Sequence, residues 1–141
     1  MENNALIKTD QSHLAGYHPL HVTPQWQVAI LKYQKGGGFF DIHRLDIHHF
    51  TDESFILTRG RAALVAARIK EDMIEYEISD MQPGIIYTIP ANCWHNIGQT
   101  EDAEVIIIEN AQTHLWDFEF YNLSQTSIKY LNELIKEKMN L

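Results

Sequence analysis

The stretch DIHHFTDESFILTRG, from Asp46 to Gly60, places two adjacent histidines ahead of an acid and then an apolar run that ends at glycine. Side chains on a strand alternate between faces, so a ligand on one strand and another across a turn converge on one point. His48 and Glu53 are such a pair, and alternation lets only one of the two adjacent histidines join it. Further along, Gly84 is followed by Ile85-Ile86-Tyr87-Thr88-Ile89 and then by Pro90-Ala91-Asn92-Cys93-Trp94-His95. This second strand-like run also ends at a histidine.

The two segments resemble the paired motifs of the cupin superfamily, in which a His-x-His pair, a glutamate and a glycine are followed later by a glycine, a Pro-x-Gly turn, a histidine and an asparagine. Six residues separate Glu53 from Gly60, five separate Gly84 from Pro90, and His95 falls at the motif's distance. Three positions depart from it. Asp46 stands where the first histidine belongs, Asn92 replaces a glycine, and Gln99 replaces the final asparagine. The resemblance spans roughly Trp26 to Glu109 and implies an all-β fold, a double-stranded β-helix or jelly-roll barrel. It implies chemistry less narrowly, because cupins include dioxygenases, isomerases, decarboxylases, sugar-nucleotide epimerases, storage proteins and sensor domains.

The ligand set implied by the resemblance is His48, Glu53 and His95, with Asp46 as a fourth candidate because it shares strand parity with His48. Two imidazoles and a carboxylate suit Fe, Mn, Ni or Zn, so a divalent metal is the expected cofactor. A second register stays open, in which His49 replaces His48 and Ile47 becomes its strand partner. Plain alternation favours His49, since Leu45, Ile47 and His49 share the more apolar face. A barrel with a polar interior near its mouth favours His48, with the apolar face of Leu45 and Ile47 covered by a partner subunit or the N-terminal arm. The Thr51-Asp52-Glu53 triplet also resembles cupins with the longer spacing, and His48 is preferred.

Around these motifs the chain reads as one domain of 141 residues, long enough for a core without staples. Residues 1–22 are polar and read as an N-terminal arm, 23–121 as the barrel, and 122–141 as a C-terminal amphipathic α-helix. Strand candidates run over Trp26–Tyr33, Phe39–His49, Glu53–Thr58, Arg61–Ile69, Met73–Ser79, a buried Ile85–Ile89, and Ala103–Glu109. From Ser124 to Met139, Ile128, Leu131, Leu134 and Ile135 recur at helical spacing, leaving Lys129, Lys136 and Lys138 on the solvated side.

Composition excludes several classes of function. Nineteen acidic residues against eleven basic give a net charge of −8, which repels phosphate backbones and argues against nucleic acid as partner. Nowhere do about 18 apolar residues run together, so no membrane span is expected. The single cysteine excludes an internal disulfide, and the first residues lack the apolar run of a signal peptide, which makes a cytoplasmic location the expectation. Cys93 beside His95 invites a nucleophile, but strand neighbours point apart and a packed thiol is the plainer reading. His13, His18, His21 and His114 have no partner at ligand spacing.

The leading expectation is a small barrel that binds a divalent metal and a small organic ligand, as a metal-dependent enzyme if it is catalytic at all. The alternative is a metal-free barrel that binds or senses a sugar or organic acid. A homodimer formed on the apolar face of Leu45 and Ile47 is the expected assembly.

Overall fold

In the computed structural model, which describes residues 5–141, the alternation read from the sequence closes into two five-stranded antiparallel sheets. The first sheet runs in the order β1 (Gly16–Val22), β2 (Trp26–Lys32), β9 (Glu104–Asn110), β4 (Glu53–Arg59) and β7 (Ile86–Ile89). The second runs β10 (Glu119–Asn122), β3 (Arg44–Ile47), β8 (Trp94–Gln99), β5 (Ala62–Lys70) and β6 (Met73–Asp80). A short helix, α1 (Thr113–Trp116), precedes β10, and a long one, α2 (Gln125–Lys138), follows it. No helix among the described residues is long and apolar enough to cross a membrane.

Two cores result from strand alternation. Ala29, Phe55, Leu57, Val105 and Ile107 from the first sheet meet Ala62 and Leu64 from the second in the barrel interior. Each large apolar side chain buried there contributes about 1.5–3 kcal/mol. The opposite face of the second sheet carries Leu45, Ala63, Val65 and Ala67, and onto it α2 lays Leu131 and Ile135, both fully buried. Ser124 caps α2 by accepting a hydrogen bond from the Ser127 amide at 3.1 Å, and Lys136 and Lys138 sit in its last turn, where the helix dipole favours cations.

This second core corrects two expectations. Leu45 and Ile47 are 0% and 5% exposed within the single chain, so α2 and its surroundings, rather than a partner subunit or the N-terminal arm, cover that face. The arm itself is shorter than expected, because Gly16–Val22 pair with β2 as strand β1. The part of the expected arm at residues 1–4 lies outside the described residues.

Three further differences have local causes. The strand expected over Phe39–His49 is confined to Arg44–Ile47, because the Gly38 amide donates to Asp41 Oδ2 at 2.8 Å and the Asp41 amide returns to Gly38 O at 3.2 Å, closing a turn. That turn lies flat on β8: a Cβ at Gly98 would stand 2.9 Å from Phe39 Cα. The expected buried strand Ile85–Ile89 is instead an edge strand over Ile86–Ile89, with Ile86 66% exposed. Strands β8 and β10 went unread because WHNIGQ and EFYN are too polar to show strand patterning.

The outer face of the first sheet has no covering helix among the described elements. Strand register places Ile30, Ile106, Ile56 and Ile86 side by side across β2, β9, β4 and β7 on this face.

Candidate metal centre

His48 immediately follows β3, Glu53 opens β4 and His95 is the second residue of β8, so the two sheets deliver three ligand-type side chains to one end of the barrel interior. Their donor atoms all lie within 4.8 Å of one another. Glu53 Oε2 is 3.1 Å from His48 Nε2 and 3.0 Å from His95 Nε2, and the two rings are 5.0 Å apart. Glu53 and His95 are buried, and the His48 side chain is nearly so.

The outer nitrogens of both rings are already committed. His48 Nδ1 lies 2.7 Å from the Asp117 carbonyl and His95 Nδ1 lies 3.0 Å from the Cys93 carbonyl. A carbonyl only accepts, so each Nδ1 carries the hydrogen, and in the neutral ring Nε2 presents a lone pair. Two lone pairs then face a carboxylate oxygen that has no properly directed hydrogen bond. Such a convergence of Lewis bases needs a cation, either protons or a metal ion. Donors held about 2.1 Å from an ion and at right angles stand about 3.0 Å apart, which is the spacing found here. The donor set and its backbone-fixed tautomers therefore fit a divalent ion.

With protons as the only cations, the electrostatics follow from the same contacts. Burial opposes charge on His48, but the Glu53 carboxylate outweighs it and holds the imidazole up to about 9. His95 is raised in the same way, against stronger burial. Burial also opposes charge on Glu53, yet the two imidazoles pull it down to about 2.

The remaining candidates are placed as follows. Asp46 is the Cα partner of His95 and lines the same cavity, but its carboxylate is not among the three converging donors. Its Oδ1 is buried without a hydrogen bond, 3.9 Å from Arg44 Nε, and burial raises its pKa. His49 turns away from the interior, with Nδ1 2.7 Å from Asn92 Oδ1 and Nε2 3.4 Å from Glu119 Oε1. Asn92 has φ +65°, a left-handed conformation that asparagine tolerates best after glycine, which explains why it can stand at the motif's glycine position. Gln99 is 4% exposed and lines the cavity. The Cys93 thiol contacts Trp94 O at 3.6 Å and burial pushes it up, the opposite of what a nucleophile requires.

Several site residues were not singled out from the sequence. Asp117, 3% exposed, accepts the amides of His49 and Phe50 on its two carboxylate oxygens at 2.8 and 3.0 Å while its carbonyl orients His48. At the rim, exposed Phe50 stacks on Trp116 with centroids 5.6 Å apart. Arg44 lies 3.8 Å over the Phe120 ring. Inside, Gln27 and Glu109 are buried polar residues on otherwise apolar inward faces, WQVAILK and EVIIIEN, and that break in alternation was the available signal. His114, which lacked a partner at ligand spacing, lies with its Nδ1 3.1 Å from Gln27 Nε2. Triad, Arg44, Tyr17 and Glu109 line one cavity of about 510 Å³. Burial first, then the Glu53 charge, push Glu109 up to about 7.

Neither a family model nor a curated protein matches this sequence. Solved structures do match. Capsular polysaccharide assembling protein CapF from Staphylococcus aureus is 20% identical over 82% of this chain and 34% of that one, with a TM-score of 0.55, so this chain spans about a third of CapF. A Streptomyces PAC13 variant with uridine is 10% identical over 89% of this chain and 96% of that one, with a TM-score of 0.53. An RmlC-like cupin family protein with a double-stranded β-helix fold, from Methanocaldococcus jannaschii, is 14% identical over 79% and 96%, with a TM-score of 0.49. The chain thus shares with CapF and PAC13 its fold of two antiparallel β-sheets, the all-β architecture that its paired motifs imply.

Proposed function

We propose that this barrel holds a divalent metal ion through His48, Glu53 and His95, with Asp46 as a fourth ligand or its close neighbour, and presents it to a small organic acid in the cavity. The observation that carries this reading is the approach of both Nε2 atoms to Glu53 Oε2 at 3.0–3.1 Å while both Nδ1 atoms are held by carbonyls. When bound, the ion supplies Lewis-acid polarisation of a ligand oxygen. Arg44, stacked on Phe120 at the cavity wall, supplies a bidentate partner for a carboxylate. Fe, Mn, Ni and Zn all suit two nitrogens and a carboxylate oxygen. The test is metal analysis of protein purified without a histidine tag, repeated for His95→Ala. Stoichiometric metal in the wild type and its loss in the variant support the reading, and a wild type that takes up no metal ends it.

The alternative is a metal-free barrel that binds a sugar or organic acid. It is favoured by one observation, the 3.1 Å approach of His48 Nε2 to Glu53 Oε2, close enough for a proton alone to bridge them and to raise the imidazole. It predicts thermal stabilisation by ligand that persists in excess chelator, whereas the metal reading predicts its loss.

The homodimer moves to the other sheet. Four aligned isoleucines on an uncovered sheet face form a self-complementary surface for a second copy related by a two-fold axis. Sedimentation that finds only monomer for the wild type at tens of micromolar or above removes this assembly.

A further inference from the structure

Strands β3 and β10 lay two parallel rows of side chains along one wall of the cavity. Arg44 and Asp46 alternate onto the same side of β3, His48 continues the row just beyond it, and all three line the cavity. In the antiparallel register Phe120 stands beside Asp46. The same register continued past the strand ends sets Phe118 level with His48, whose Nδ1 meets the neighbouring Asp117 carbonyl. The Phe118 and Phe120 rings, 5.2 Å apart and tilted by 36°, line the cavity as well, yet remain 40% and 46% exposed. An aromatic row therefore leads from the Arg44 guanidinium, 3.8 Å over Phe120, towards the triad. Stacking occupies the face of a guanidinium and leaves its edge of N–H donors for an anion. Asp46 does not use up that edge, since its Oδ1 is 3.9 Å from Arg44 Nε, beyond hydrogen-bonding distance. Leu31, Phe55, Ile97 and Ile107, all in or against the barrel core, add apolar lining to the same cavity.

We propose that Arg44, Phe120 and Phe118 form a binding track for carboxylates with a flat apolar body, and that they select such acids over short or polyhydroxylated ones. The inference rests on the organic-acid part of the reading above and not on its metal. The carboxylate takes two parallel hydrogen bonds from the guanidinium edge, and the body lies along the two rings with its far end turned towards His48, Glu53 and His95. The strand itself sets the length, because two residues advance about 7 Å and four about 13 Å, which brackets the step from Arg44 to the triad. A carboxylate on one or two fused rings suits that interval. The cavity volume of about 510 Å³ points the same way, since pockets for ligands of drug size run from about 300 to 1,000 Å³. A two- or three-carbon acid leaves the apolar lining in water. A polyhydroxylated acid meets ring faces along the track instead of hydrogen-bond partners.

The experiment is isothermal titration of the chain with benzoate, cinnamate and naphthalene-2-carboxylate against acetate, glucuronate and uncharged benzamide. Each is measured in excess chelator and again after loading with Mn(II). In at least one of these states a ring acid is expected to bind about tenfold or more tighter than acetate and glucuronate, and benzoate to exceed benzamide by a similar factor. Arg44→Gln is expected to bring benzoate and benzamide to equal affinity. Phe118→Ala is expected to weaken the ring acids about three- to tenfold, and acetate by less. Both side chains are part-exposed, and melting curves check that the variants fold. Ring acids that bind no tighter than acetate or glucuronate in either state overturn the inference. So does an Arg44→Gln variant that still prefers benzoate to benzamide. Ring acids bound in chelator by a chain that takes up no Mn(II) support the inference while ending the metal reading, and Mn(II) uptake with a preference for glucuronate does the reverse. The wild-type series decides even where a variant fails to fold.

Discussion

Raising the pH of the metal-free protein from 6 to 10 removes the proton that His48 shares with Glu53, and the structure gives both the sign and the size of the effect. The folded imidazole titrates at about 9 against an ordinary value of 6.5. A group whose folded pKa is raised stabilises fully below its unfolded value, and that stability is lost as pH climbs through the folded one. The interval sets an upper bound of about 3 kcal/mol, which solvent screening of the part-exposed ring reduces, and the loss falls mainly between pH 6.5 and 9. Glu53, lowered to about 2, acts in the opposite direction, with its contribution present above about pH 4.5 and lost on acidification towards 2. Urea midpoints in chelator at fixed ionic strength measure this, with His48→Gln subtracting the titrations of other groups. Saturating metal should reverse the slope. The ion needs the deprotonated imidazole, so apparent affinity rises by up to about tenfold per pH unit for each proton displaced. Equal pH profiles for the metal-free wild type and His48→Gln between 6 and 10 would refute the argument.

Three substitutions test the supports of the site. Leu131→Ala in α2 empties a fully buried position on the second sheet and should cost about 2–5 kcal/mol in chemical denaturation, while metal content stays stoichiometric. Asp117→Ala frees the amides of His49 and Phe50, and calorimetry should find metal affinity weakened about 10–100-fold with some loss of stability. Gly60→Ala forces a Cβ to within 2.6 Å of Ala103 Cα at φ +71°. A drop of at least about 1–3 kcal/mol is expected, and unchanged melting would count against the tight turn.

Where the sequence was informative, its alternation had one answer. Glu53, Phe55 and Leu57 share an inward face, and the glycine at position 60 closes the turn after it, so strand, face and register agree. That His48, Glu53 and His95 would converge was legible for the same reason, apart from the competition between His48 and His49. Alternation alone misjudged that competition, because the apolar side of β3 is an outer face covered by a helix about 80 residues away in the chain. What stayed hidden depends on tertiary neighbours. Asp117 reads as one more surface acid until the turn after β3 is brought against it, and His114 has no meaning until Gln27 stands beside it. Glu109 lay in plain view at the end of an apolar strand, and a polar residue at core parity was the clue.

The Asp117 carbonyl that fixes His48 belongs to the same short segment as Trp116, whose indole stacks on the Phe50 ring beside the ligand-bearing turn. An ion that shifted His48 would therefore act on a segment that carries a fluorophore. If the proposed site holds an ion, emission from Trp116, resolved from Trp26 and Trp94 by single replacements, is expected to change as the ion binds, and candidate metals and ligands would become rankable by titration in a cuvette without knowledge of the reaction.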